Sequence, residues 1–465
     1  MRYFLDPFGC AKNQVDAENM MASLNGAGFI SEESAEEADL IIVNSCGFIE
    51  SAKKESIDAV LAWHKLFPGK KILLAGCLAQ RYKEELSVEL PEADAIFGID
   101  DLPGIVEAVT ALAAGRGRRG PDSGVARSGD RREVRRGERC EAALRGGPDP
   151  GAGARPLLSL PGSAYVKISD GCDNNCSYCA IPLIRGRFKS RPIESLVEEC
   201  KTLLERGIKE LCLIGQDLGS YGRDFPGSGK SLPALMQALS GLNGDFWVRL
   251  LYIHPDHFPL SILDIMEGDR RFLPYFDIPF QHSSEKILKA MNRSGTAENY
   301  LGLIEKIRGR LSDAVIRSTF LTGFPGETEE DFALLLDFQR KASLDWMGCF
   351  TYSREEGTPA YDMKGRVTKK TAALRKSLLE EMQIPITEKQ IDRLVGRSSE
   401  VIVEERFEPA FDSDESALYL GRLPCQAPEV DGTAIILTEK TLTLGAKLPC
   451  KVIARRGFDL EVTIV

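Results

Sequence analysis

Cys172, Cys176 and Cys179 stand at C-x3-C-x2-C spacing in GCDNNCSYC, directly after the strand-like run AYVKIS. Three thiolates on one short loop can each take one iron of a cubane cluster, which leaves the fourth iron open to chelate and reduce a small molecule. A zinc knuckle would need a second Cys or His pair, and no further C-x2-C or H-x3-H follows within thirty residues. Chance is a poor account as well, because twelve cysteines in 465 residues would rarely put three into eight positions.

A second set of thiols is spread over the first hundred residues. Cys10 ends YFLDPFGC, Cys46 ends ADLIIVNSC and Cys77 ends KKILLAGC. Each follows a short apolar run and precedes an amphipathic segment, so the region predicts repeated strand-helix units and a parallel sheet. Ligands of open parallel sheets gather at the carboxyl ends of the strands, where all three cysteines would then lie. On the residues alone, three unrelated buried thiols are an equal reading, since free Cys is a common core residue.

The spacing at 172–179, with Tyr178 just before the last Cys, resembles the signature of radical S-adenosylmethionine (SAM) enzymes. FGCAKNQVDAENM and VNSCGF resemble the N-terminal domain of the methylthiotransferases among them. The resemblance implies a 4Fe-4S cluster on Cys172, Cys176 and Cys179 whose open iron binds S-adenosyl-L-methionine, cleaved on reduction to a 5'-deoxyadenosyl radical. It also implies a second 4Fe-4S cluster on Cys10, Cys46 and Cys77 that carries or receives the inserted sulfur. The protein's task would be to orient, shield and tune these groups.

The elements that must hold them follow from length and pattern. A chain of 465 residues has room for about three domains. No apolar stretch reaches the length of a membrane span, and MRYFLDPFGC lacks the order of a signal peptide. Cysteines at cluster spacing suit a reducing compartment, so the expectation is a cytoplasmic enzyme without a membrane partner. The expected boundaries are an α/β domain at 1–114, a linker at 115–156, a radical SAM domain at 157–392 and a small β-barrel at 393–465. Within the linker, 116–155 holds eleven Arg and six acids, about +5 in a chain of net charge −10. It lacks apolar periodicity and predicts a disordered tether, with weak RNA contact as the sharper alternative. Cys140 lies in it and is not expected to bind a cluster.

From 157 to about 365, AYVKIS, ELCLIG, WVRLLYI, YFDIPF, AVIRSTFLT and DWMGCFTY alternate with helical segments. Six strands with crossover helices predict a partial (β/α)6 barrel, with catalytic groups at the strand ends. GQDLGSYG, HPDHF, IPFQHSSEKILKAMNR and STFLTGFPGETEEDF follow successive strands and resemble the mouth segments of the family. From that resemblance, Tyr178, Gln216, Gln281 and Gly323 are expected near the cofactor, with Arg317 as a carboxylate partner. Asp217 and His282 suit structural and ligand roles equally. Cys200, Cys212, Cys349, Cys425 and Cys450, together with Trp63 and His64, read as packing residues.

Residues 366–392 predict a helical connector interrupted by Pro385, and 396–465 predicts a small antiparallel barrel. Its position resembles the family's TRAM domain. RNA-holding barrels need positive charge, yet 396–465 has eight Lys and Arg against twelve Asp and Glu. An acidic barrel better suits a basic partner. YLGRLPCQAPEVDG, GCDNNCSYCAIPLIRGRFKSRP and GQDLGSYG resemble the RimO branch. That branch implies methylthiolation of the β-carbon of one aspartate in protein twelve of the small ribosomal subunit, with outside sulfur and electron donors. No catalytic side chain beyond the cluster ligands is then required. The alternatives are a tRNA adenosine methylthiotransferase and a non-enzymatic metal-containing ribosome-binding protein.

Overall fold

The structure is a computed structural model that describes residues 1–115, 155–407 and 418–465. Most of the Arg-rich tract, with Cys140, lies outside the described residues. The chain forms two compact units, one of Met1–Leu158 with Ala180–Gly186 and the other of Ser159–Cys179 with Arg187–Val465.

In the first unit, β1 (Arg2–Pro7), β2 (Ile30–Ser31), β3 (Leu40–Ser45), β4 (Lys71–Gly76) and β5 (Ala95–Phe97) form a parallel sheet in the order β2-β1-β3-β4-β5. Successive side chains of a strand point to opposite faces, and β3 uses both. Leu40 and Ile42 pack with Met20 and Leu24 of the helix Ala11–Gly26, whereas Ile41 and Val43 pack with Val60 of the helix Glu50–Leu66. Each fully buried aliphatic side chain contributes roughly 1.5–3 kcal/mol, which fixes the register of the strands. At the end of β4, Gly76 has φ +94°, and a Cβ there would lie 2.6 Å from Asn44 Oδ1. Only glycine fits this turn. Trp63 packs on Phe4 and donates to Asp6 over 2.7 Å, as a packing residue should. Arg155, the last arginine of the expected tether, is instead buried in an ion pair with Glu18 at 2.7 Å.

In the second unit, β6 (Ser163–Lys167), a short antiparallel pair of β7 (Ser169–Asp170) and β8 (Lys189–Ser190), β9 (Glu210–Ile214), β10 (Trp247–Leu250), β11 (Phe272–Asp277), β12 (Val315–Thr322) and β13 (Trp346–Thr351) follow in turn. The six longer strands make one parallel sheet in sequential order, β6-β9-β10-β11-β12-β13. They are the six predicted runs. The helix Lys369–Asp392 passes through Pro385 without a break, contrary to expectation. Gln383 donates to Leu344 O at 2.8 Å and Thr387 to Asp345 O at 2.8 Å, so both sides of the proline are tied down and tertiary bonds replace the one its ring removes.

The last five strands, β14 (Ser398–Phe407), β15 (Leu418–Arg422), β16 (Ala434–Leu437), β17 (Lys447–Arg456) and β18 (Asp459–Ile464), close into a barrel. It is not wholly antiparallel: β17 pairs with β14 on one side, so β18, returning from it, lies parallel to β16. Among the described residues no helix is long and apolar enough to cross a membrane.

This barrel packs on the amino ends of the central strands. Glu210, first in β9, takes Arg249 Nε on one oxygen at 2.7 Å and Arg422 Nη2 on the other, while Arg422 Nε reaches Glu404 at 2.7 Å. Trp346, first in β13, donates to Cys425 O at 2.8 Å. The two guanidinium charges outweigh the effect of burial and hold Glu210 down to about 2. Two of the barrel's acids, Glu404 and Asp431, and two of its bases, Arg422 and Lys447, are buried in ion pairs, so the net negative charge counted from the sequence is kept by the groups that remain outside.

Candidate active site

The loop 171–179 leaves the carboxyl side of the sheet and is pinned to the far side of the mouth. Ser177 Oγ donates to Ala290 O at 2.7 Å, its N–H to Met291 O at 3.0 Å, and Asn292 Nδ2 to Asn175 O at 3.0 Å. Asn175 (φ 52°), Tyr252 (φ 70°), Gln281 (φ 68°) and Asn292 (φ 59°) all adopt the left-handed conformation in loops around this mouth. Non-glycine residues reach that region at a cost of order 1–3 kcal/mol, and such strain collects at ligand sites.

Beside the loop lies a cavity of about 630 Å³, lined by Cys172, Asn174, His254, His257, Lys289 and Arg293 among others. Arg293 is buried, donates to Pro279 O at 2.7 Å and stands 3.9 Å from Cys176 Sγ, which places a fixed positive charge against the thiol loop. Burial pushes the Cys172 thiol up to about 11.

The expected cofactor residues divide. Tyr178 sets its ring edge on Phe324, in a cluster with Ile287, Met291 and Leu321 that walls the loop. Gln216, two residues past β9, leaves Oε1 buried and unbonded. Gln281 bridges to β12, its N–H on Thr319 O and its carbonyl accepting from Leu321 N, both at 2.8 Å. Gly323 is spent on packing, since a Cβ there would lie 2.4 Å from that of Ala372, and its N–H goes to Glu327. Arg317 lies near the opposite end of its strand, paired with Asp431 at 2.7 Å. It is not placed at the mouth because the third residue of an eight-residue strand sits near the amino end.

Asp217 is a hub rather than a free ligand. It accepts from the N–H groups of Gly219 and His254 and from Asn174 Nδ2 and Ser220 Oγ, and its Oδ2 lies 2.7 Å from His257 Nδ1. Burial pushes its carboxyl up, but the bonds to His257, Asn174 and Ser220 outweigh this and hold it well below the usual range. Burial and Arg293 drive His254 down to about 3. At His282, Nδ1 accepts from Ser284 N at 2.9 Å, so the ring proton belongs on Nε2, which is buried and unbonded. Ser169 Oγ, Ser283 Oγ and Tyr352 OH are likewise unbonded past the ends of β6, β11 and β13. Native structures rarely leave buried polar groups unmatched unless a ligand or water meets them. A polar cofactor fits this mouth.

In the first unit, Cys10, Cys46 and Cys77 follow the carboxyl ends of β1, β3 and β4, three adjacent strands. Gly9 brings the chain against Cys46, where a Cβ would lie 3.3 Å from the sulfur. Burial pushes Cys46 up and Cys77 up to about 12; at Cys10 the charges of Lys12 and Arg185 outweigh burial and lower the thiol. Among the described residues no group of three His, Cys, Asp or Glu is arranged to hold a metal ion. A cubane asks for a different arrangement, one thiolate to each of three irons.

Sequence reasoning did not single out Arg293, Arg185 or the Asp217–His257 bond. Arg293 closes the quoted segment IPFQHSSEKILKAMNR and Arg185 falls six residues after Cys179, so a cation beside a ligand-bearing loop was the available signal. Cys200, Cys212, Cys349, Cys425 and Cys450 are buried, as expected of packing thiols.

Family descriptions match three regions: "Uncharacterized protein family UPF0004" at 2–98, "Radical SAM superfamily" at 166–338 and "TRAM domain" at 395–465. The chain is 44% identical to the ribosomal protein uS12 methylthiotransferase RimO of Treponema denticola, covering 99% of this chain and 100% of that one. It is 39% identical to the protein of the same name from Carboxydothermus hydrogenoformans, covering 99% of each. The chain belongs to the RimO family. Among solved structures it resembles the radical SAM methyltransferase TsrM of Kitasatospora setae, with a TM-score of 0.52 and 16% identity over 77% of this chain and 73% of that one. At that identity the likeness is one of fold. This RimO family member carries two thiol sets at the carboxyl ends of two parallel sheets.

Proposed function

We propose that this chain inserts a methylthio group at the β-carbon of an aspartate in ribosomal protein uS12. The observation that carries this reading is the near full-length identity to uS12 methylthiotransferases in a chain that keeps both sets of three thiols at strand ends. Cys172, Cys176 and Cys179 would hold one 4Fe-4S cluster, and Cys10, Cys46 and Cys77 a second. Together with S-adenosyl-L-methionine these supply the one-electron chemistry that opens an unactivated C–H bond, and the sulfur that replaces the hydrogen.

The chain's own residues bind and orient. Gln216 Oε1 and His282 Nε2–H, which have no partner within the described residues, would accept from and donate to polar groups of the cofactor. Arg293 offsets the negative charge of thiolates beside Cys176. Tyr178, Phe324 and Met291 keep water from the loop. Asp217 fixes His254 and His257 along the cavity wall. No side-chain base is needed, because a β-C–H bond is too weakly acidic for proton abstraction. In this reading 1–114, 157–392 and 393–465 are the three modules, the sulfur and electron donors are separate molecules, and the setting is the cytoplasm.

Mass spectrometry of ribosomal proteins and tRNA nucleosides from cells with and without this gene tests the proposal. The expected result is a methylthio increment on uS12 that vanishes on deletion. Loss from tRNA with uS12 unchanged would replace the substrate by an adenosine.

A further inference from the structure

The helix Ile181–Arg185 begins two residues after Cys179, yet Ala180–Gly186 belongs to the first unit. Ala180 and Ile184 are buried with Cys77 and Ile99. This packing drives Arg185 inward until 1% of its side chain is exposed. Its Nη2 lies 2.8 Å from Oδ2 of Asp16, itself 1% exposed, and 3.3 Å from Sγ of Cys77. A guanidinium is costly to bury, and its fork of donors can serve more than one acceptor. The fork is shared with a sulfur.

Asn13 is a second polar neighbour of that sulfur, with Oδ1 at 3.6 Å. Its Nδ2 is committed to the carbonyls of Phe8, Asn44 and Ser45 at 2.6, 3.2 and 3.2 Å, so its amide orientation is fixed and it offers Cys77 only an acceptor. An acceptor suits a thiol. Once Cys77 is a metal thiolate it has no proton to give Asn13, and Arg185 is the donor aimed at it.

We infer that Arg185 is a positioning residue for the cluster of Cys10, Cys46 and Cys77, donating a charge-assisted hydrogen bond to the Cys77 thiolate from a guanidinium held by Asp16. The inference rests on the proposal that these three thiols hold a cluster. Hydrogen bonds to ligating sulfur stabilise its negative charge, which raises the reduction potential and slows loss of the metal. The sequence that follows the radical SAM motif thereby supplies the cation of the other thiol site.

The test uses the full chain with Cys172, Cys176 and Cys179 changed to Ala, reconstituted anaerobically so that iron reports the N-terminal site alone. In this background Arg185→Lys keeps the charge, and the pair Asp16→Asn with Arg185→Met removes the donor without stranding a buried carboxylate. The expected result is an assembled cluster whose midpoint potential moves negative in the double variant, whose reduced EPR spectrum changes, and whose iron is held about 10–100-fold less tightly against a chelator. Arg185→Lys should fall between. A loaded cluster with potential and spectrum unchanged would overturn the inference and leave the cluster assignment standing, even if the melting temperature fell. A background protein that takes up no iron would overturn both.

Discussion

At the amino ends of the central strands, Glu210 meets Arg249 and Arg422, Arg422 meets Glu404, and Arg317 meets Asp431, which also takes the hydroxyl of Tyr275. The unbonded atoms there, Arg249 Nη2 and Gln426 Nε2, belong to groups whose other atoms are bonded. At the carboxyl ends, Gln216 Oε1, Ser169 Oγ, Ser283 Oγ and His282 Nε2 have no partner, and four non-glycine residues stand at positive φ. One sheet thus carries a closed electrostatic interface at one end and open valences at the other. Groups that hold two layers together can each find a partner within the chain through at least one of their atoms, whereas groups that receive a ligand are matched only when it arrives.

Changing the two ends should therefore give different signatures. The largest effect belongs to the thiol loop: Cys176→Ala should reduce methylthiolation of uS12 to background and lower the iron bound per chain, with little change in melting temperature of the apo protein. At the other end, Arg422→Met strands Glu404 as a buried charge and leaves Glu210 with Arg249 as its remaining cation. It should cost about 3–5 kcal/mol of unfolding free energy, seen in urea titration, while the remaining folded enzyme turns over normally at low temperature.

Acid should open the two ends in sequence. Burial lowers His282 from its ordinary 6.5 to about 4. The unfolded chain therefore takes up a proton first, and stability falls between pH 6.5 and 4 by roughly 3 kcal/mol at most. A His282→Gln variant should lose that slope. Glu210, held to about 2, contributes stability above pH 4.5 that is lost only as pH falls from there through 2. The smallest effect sharpens the contrast by its sign. Gln216→Leu should weaken S-adenosyl-L-methionine binding about tenfold, or about 1.4 kcal/mol, while leaving the apo protein as stable or more so, because a buried unmatched acceptor is removed. A destabilised apo protein would show that Gln216 is a packing residue.

The thiols and the sheets that carry them were legible because both depend on local signals: fixed spacing, and apolar runs long enough to be strands. Cys10, Cys46 and Cys77 fall at strand ends for the same reason that the six central strands were found. What escaped prediction depends on partners distant in sequence. Arg317 is drawn to Asp431, 114 residues away, and Arg185 to Asp16, 169 residues away, and no local pattern records either meeting. Pro385 was misread because a proline breaks an isolated helix, whereas Gln383 and Thr387 hold this one to its neighbours. The parallel ladder between β16 and β18 was hidden because alternation reveals a strand but not its direction.

The most direct measurement is in vitro: full-length protein with reconstituted clusters, S-adenosyl-L-methionine, sulfide and a reductant, offered a uS12 peptide and tRNA together and read by mass spectrometry. The account predicts a methylthio increment on the peptide's aspartate, release of 5'-deoxyadenosine, and unmodified tRNA. An unmodified peptide beside methylthiolated tRNA, or no 5'-deoxyadenosine from fully loaded protein, would contradict it.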